Sequence, residues 1–141
     1  AVGYFDAQPF GRNAHLGADW NGDGGGDTDK GDPVTAAAAG RVIYAEDAGP
    51  GWGNVVIVAH GLPDGAVVES LYGHLDRVDV AVGDDLARGD AVGTIGDAHG
   101  RYVPHLHFEV RTTPGLGVGG GYAQDATGWT DPTAFVRAHR P

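Results

Sequence analysis

The residues of this chain that can do chemistry lie in three places: His15 with Asp19, His74, and His105 with His107. Within residues 104–110 (PHLHFEV), apolar Leu106, Phe108 and Val110 alternate with His105, His107 and Glu109. That is the period-two pattern of a strand with one buried face, so His105 and His107 share a side while Leu106 and Phe108 enter the core. Two imidazoles fixed on one face of a rigid strand can divide a task, one binding a metal and the other handling a proton. The same spacing also fits two surface histidines on an ordinary amphipathic strand. His15 and Asp19, four residues apart, can reach one metal from an extended or turning backbone, and Gly17 between them permits a bend or a close backbone approach. An unrelated surface pair has this spacing too. With no cysteine, disulfides, thiolate zinc sites and cysteine nucleophiles are all excluded.

Asp19 also opens Asp19-Trp20-Asn21-Gly22-Asp23-Gly24, which copies the first half of a calcium loop. Lys30 then stands where an EF-hand needs its bidentate glutamate, and no helical pattern flanks the segment. The better reading is a solvated, acidic, glycine-rich loop. A Ca2+ ion in the 19–29 loop would fall to Asp23, Asp27 and Asp29.

The elements that must hold these residues read as mainly β. The 141 residues suit a single domain, and 26 glycines with 8 prolines, set among valine-rich runs, argue for short strands and many turns. The patterns predict strands over 34–38, 41–45, 54–60, 66–75 and 91–95, with His74 at a strand end. Asp131 and Pro132 predict a helix start and a short C-terminal helix over 133–137. Residues 1–14 show no periodicity and read as a packed leading arm, and Phe10-Gly11-Arg12 could line a groove. The glycine-rich run 115–121 reads as a surface loop flanking the site. His60, closing a buried strand, reads as a structural or surface residue with no part in the chemistry, and His139 as exposed. The expected architecture is a single antiparallel β-sheet or sandwich-like domain with a groove, long loops and that helix.

The formal charge of -10, with Lys30 the only lysine, repels phosphate backbones and disfavours nucleic acid and anionic lipid surfaces as partners. No apolar run approaches a membrane span, so no membrane insertion is expected, and no signal-peptide pattern opens the chain. Oligomeric state leaves no mark in the sequence.

The order HLGAD, GDPVTAAAAGRV, GWGNVVIVAHG, SLYGHL, VGDDLARGDAVGTIG and PHLHFEVR resembles the lysostaphin/LytM-type zinc endopeptidases that cut bacterial cell-wall peptides. The resemblance runs from about residue 15 to residue 111, and the closing DPTAFVRAHRP looks like the family's last segment. It implies one LytM-like domain over 1–141, with a core at about 15–111 and a C-terminal loop and helix over 112–141. It implies one Zn2+ per chain held by His15, Asp19 and His107, leaving a coordination position open as catalytic zinc sites do. His105 and His74 then become the catalytic pair. His105 is the general base toward a zinc-activated water, and His74 either steadies the oxyanion or orients the water. Glu109 is either a carboxylate behind His107 or a solvent-facing strand residue. The implied substrate is the peptide of peptidoglycan, and the implied location is the cell envelope or the exterior. The alternative is a non-enzymatic, peptidoglycan-binding or hydrolase-activating module of the same fold. Two segments depart from the family pattern: the insertion at 20–30, and the 96–103 loop, where Asp97, His99, Arg101 and Tyr102 stand in place of small residues.

Overall fold

The computed structural model describes residues 2–140. Ten strands join in one antiparallel network: β1 (Tyr4–Gln8), β2 (Ala18–Gly22), β3 (Pro33–Thr35), β4 (Gly40–Asp47), β5 (Asn54–Gly61), β6 (Val67–Val78), β7 (Asp85–Leu86), β8 (Ala91–Ile95), β9 (Leu106–Arg111) and β10 (Trp129–Thr130). The main sheet runs β1-β2-β9-β6-β5-β4-β7, while β3 pairs with β8, β8 with β6, and β10 with β9. One helix, α1 (Pro132–Ala138), follows, and no helix among the described residues is long and apolar enough to cross a membrane. The expected mainly β, single antiparallel sheet with a short C-terminal helix is the fold adopted.

Burial follows the strand period. In β5, Val56 and Val58 face one side with Val42, Tyr72, Leu75, Phe108 and Val110, under Val34, Ala36, Val92 and Ile95. Val55 and Ile57 face the other side with Leu71. Covering on both faces is why this strand reads as an unbroken apolar run. Helix α1 adds Phe135 and Val136 to the larger core, and its Asp131 cap accepts from the backbone N–H groups of Thr133 and Ala134.

Several expectations need correction. Residues 1–14 are not all arm: Tyr4–Gln8 pairs with β2 as an edge strand, and its mixed composition carries no apolar alternation to announce it. The strand at 34–38 shrinks to Pro33–Thr35, because beyond Thr35 the backbone leaves the ladder and Ala37 N–H turns to the Tyr72 hydroxyl. The loop at 20–30 begins later than read, since Trp20, Asn21 and Gly22 complete β2. Its Asp29 is buried and accepts from Gly22 N–H, whereas Asp23 and Asp27 are exposed, so nothing supports a Ca2+ site there. His74 is not at a strand end. It sits inside β6 at a register shift with φ 64°, where the strand passes from β5 and β9 to β8.

Of the two readings of His60, the structure has the structural one, since the ring is buried and bonded at both nitrogens. Its Nδ1 donates to the Ala39 carbonyl at 2.8 Å, so Nε2 accepts from the Ser70 hydroxyl at 2.7 Å. Burial holds its pKa below the ordinary 6.5, against the pull of the Ala39 carbonyl. The unfolded chain therefore binds a proton below pH 6.5 that the folded chain resists, and this contribution erodes stability as the pH falls. The urea midpoint of the unsubstituted protein is expected to drop more between pH 7.5 and 5.5 than that of His60→Gln. Parallel pH profiles would show that His60 titrates alike in both states.

Candidate metal centre

The site is assembled across three neighbouring strands. In the register of β2 with β9, Asp19 lies directly opposite His107, and on the other side of β9 Gly73 of β6 lies opposite His107. His15 precedes β2, His74 follows Gly73, and His105 precedes β9, so all five sequence-identified side chains reach one patch of the sheet. Their rings crowd together, with centroids 4.8 Å apart for His15–His107, 4.7 Å for His74–His105 and 5.6 Å for His74–His107.

Gly17 supplies close approach rather than a turn. A Cβ at this position would stand 2.6 Å from the Phe108 carbonyl oxygen and 3.0 Å from the His107 ring. Gly17→Ala is expected to destabilise the fold by about 1–3 kcal/mol through overpacking. It should also push His107 off its position, so thermal midpoint and zinc affinity fall together. An alanine variant with unchanged zinc affinity would show that this contact does not seat His107.

Three donor atoms converge. His107 Nδ1 is 2.9 Å from Asp19 Oδ1, His15 Nε2 is 3.0 Å from His107 Nδ1, and His15 Nε2 is 3.3 Å from Asp19 Oδ1. All three residues are buried, and they form the only such group of three or more ligating side chains among the described residues. His107 Nε2 donates to Glu109 Oε1 at 2.8 Å, which turns the Nδ1 lone pair toward Asp19 and His15. A carboxylate oxygen and ring nitrogens converging at such distances suit a cation or a shared proton between them. In the metal-free protein burial opposes the imidazolium, yet the hydrogen bonds to Asp19 and Glu109 prevail and push His107 up to about 9. For Asp19, burial works to raise the carboxyl, but hydrogen bonds from His107 and His15 hold it well below the usual carboxylate range. Tetrahedral zinc with bonds of about 2.0–2.1 Å would set its ligand atoms roughly 3.3 Å apart, close to the observed triangle. The donor set fits such an ion. His15 Nδ1 is buried with no hydrogen-bond partner among the described residues, so that ring is engaged only through Nε2.

Behind His107 the period-two face of β9 continues into Glu109 and Arg111, both fully buried. Of the two readings of Glu109, the structure has the carboxylate behind His107. Its Oε2 accepts from Arg111 Nε and from the Trp129 indole N–H, each at 2.9 Å. Arg111 also donates to the carbonyls of Gly117 and Val118, which fastens the glycine-rich loop against the site. That loop does flank the cluster, as expected.

His105 and His74 have the same tautomer. His105 Nδ1 is 2.7 Å from the Val103 carbonyl and His74 Nδ1 is 3.0 Å from the Trp52 carbonyl. A carbonyl only accepts, so both Nδ1 atoms carry the proton and both Nε2 atoms are acceptors. His105 Nε2 lies 3.8 Å from Asp19 Oδ1, beside the donor triangle but outside it. His74, enclosed by Trp52 and Tyr102, is lowered to about 4, first by burial and then by His105 and His107, and is neutral at pH 7. Its left-handed backbone is strain of the kind stored at functional sites, and the register shift re-aims the ring toward the cluster.

Four further residues shape the site without having been singled out in the sequence. Trp52 stands 5.2 Å from the His107 ring and donates to the Gly119 carbonyl. Tyr122, half exposed, stands 5.1 Å from His15 and donates to Gln8 Oε1. Arg111 could have been found by extending the two-residue period past Glu109. Trp129 arrives from a distant strand and leaves no local signal. His99 and His139, by contrast, stay outside the cluster: His99 pairs with Asp47, and His139 stacks on Phe135.

The model of Peptidase family M23 matches residues 14–122. Over its length the structure is similar to the catalytic domain of the antimicrobial peptidase lysostaphin from Staphylococcus simulans. The TM-score is 0.66 at 27% identity, covering 97% of this chain and 90% of that one. Among characterised sequences, cell division protein DipM of Caulobacter vibrioides is 38% identical over 85 residues, covering 60% of this chain and 13% of DipM. Murein hydrolase activator EnvC of Escherichia coli is 40% identical over 82 residues, covering 58% of this chain and 18% of EnvC. The matched segment thus spans less than a fifth of either relative.

Proposed function

The chain belongs to peptidase family M23, and from that premise we propose that it is a zinc-dependent endopeptidase acting on peptide bonds in bacterial peptidoglycan stems or cross-bridges. We read it as one LytM-like domain over 1–141, working in the cell envelope or outside the cell. The observation that carries this reading is the convergence of His15, Asp19 and His107 donor atoms, with the Nε2 acceptors of His105 and His74 turned to the same patch. His15, Asp19 and His107 would hold the zinc. When bound there it would polarise a peptide carbonyl and acidify water.

The protein's own groups account for the proton traffic. His105, locked by the Val103 carbonyl, presents a bare Nε2 that takes the proton from the attacking water and passes it to the leaving amine. His74 is an acceptor in the same tautomer, and an oxyanion needs a donor. Of its two candidate roles, the tautomer therefore supports orienting the water. Glu109, held by Arg111 and Trp129, fixes the His107 ring.

One observation favours a second reading, a hydrolase-activating module: the similarity to EnvC, named as a murein hydrolase activator. The discriminating experiment incubates the zinc-loaded chain with purified peptidoglycan and counts new amino termini. Their release, abolished by a chelator, supports the peptidase. No release alone, but faster release when a cell-wall hydrolase is added, would replace it with the activator.

A further inference from the structure

The loop between β8 and β9 is built to hold its side chains still. Ala98, His99 and Gly100 have φ of 54°, 59° and 82°, two of them non-glycine residues in left-handed conformation. The Asp97 carbonyl accepts from the N–H groups of Arg101 and Tyr102, and the Asp97 carboxylate accepts from Gly100 N–H and from Lys30. His99 is tied to Asp47 at 2.9 Å. Fastened on both flanks, the loop delivers the Tyr102 ring to 5.2 Å from His74 and 5.9 Å from His105, with 42% of the residue exposed.

Arg101 lies over that ring, its guanidinium carbon 6.0 Å from the ring centroid. Lys30, Arg41, Arg77 and Arg111 are each committed to a carboxylate, whereas Arg101, like Arg12, Arg88 and Arg137, has none within 4.0 Å among the described residues; what sets Arg101 apart is its place on the Tyr102 ring beside His74 and His105. In a chain of net charge -10, an exposed guanidinium left unpaired beside an aromatic ring is disposed to take an external anion. From the 5.9 and 6.0 Å separations, Arg101 lies within about 12 Å of the His105 ring, a span of roughly three extended residues.

We propose that Arg101 and Tyr102 form a specificity subsite that selects peptides bearing a free carboxylate within about three residues of the bond cut, over neutral glycine bridges or amidated stems. The proposal rests on the peptidase reading above. The guanidinium takes the carboxylate through its planar fork, and the Tyr102 ring walls the peptide chain between that anchor and His105.

The test uses two synthetic stem peptides identical except that one carboxylate is a carboxamide. With the zinc-loaded protein, kcat/KM is expected to favour the carboxylate form by about 10- to 100-fold, the range of a charge-assisted hydrogen bond. Arg101→Gln should bring the ratio toward one, chiefly by raising KM for the carboxylate peptide. Arg101→Glu should invert the ratio, and Arg101→Lys should keep part of it. A ratio unchanged by Arg101→Gln overturns the subsite. Calorimetric binding of both peptides to His105→Ala protein separates the two levels. Carboxylate preference without any cleavage by the unsubstituted protein leaves the subsite and removes the peptidase, whereas cleavage without preference does the reverse.

Discussion

His107→Ala protein, loaded with zinc and dialysed, is expected to lose its metal, while the unsubstituted chain keeps about one ion, because three protein ligands with an open fourth position are the catalytic minimum. His107 Nδ1 lies within 3.0 Å of both other donor atoms, so removing it leaves Asp19 and His15 as an open pair. The loss should exceed the roughly 10- to 100-fold that follows from disturbing a supporting group such as Glu109. The fold should survive, since Glu109 keeps Arg111 and Trp129 as partners and stays compensated. Elemental analysis of folded variant and parent decides it. A full complement of zinc in the alanine variant would remove His107 from the metal set and the ligand assignment with it.

His105→Ala should behave in the opposite way, keeping zinc and losing catalysis. Its Nε2 is 3.8 Å from Asp19 Oδ1, whereas the donor triangle has edges of 2.9 to 3.3 Å, so zinc has no need of it. What goes is the positioned base, and removing a general base typically costs about 10²- to 10⁴-fold in rate. Measured on peptidoglycan fragments at matched zinc content, kcat/KM should fall over that range with little change in binding. Equal zinc loss in the two variants would reverse the division of labour between the histidines. Intact zinc with no hydrolysis even in the parent would leave the metal centre standing and favour the activator.

The sequence by itself determined the face that carries the chemistry. Side chains on a strand alternate by covalent geometry, so the spacing of His105, His107 and Glu109 placed them together before any tertiary contact was known. The helix cap at Asp131 and the apolar run of β5 were legible for the same reason: each depends on neighbours a few residues away. Residues whose setting depends on distant partners were not legible. Tyr4–Gln8 is a strand only because β2 offers it an edge, and His74 sits mid-strand because β6 exchanges partners there. Glu109 could have faced water; Trp129 and the glycine-rich loop tied down by Arg111 cover it. Only the tertiary structure could set His15 and Asp19 against His107, because the register of β2 on β9 is fixed by the packing of whole sheet faces across some ninety residues of chain.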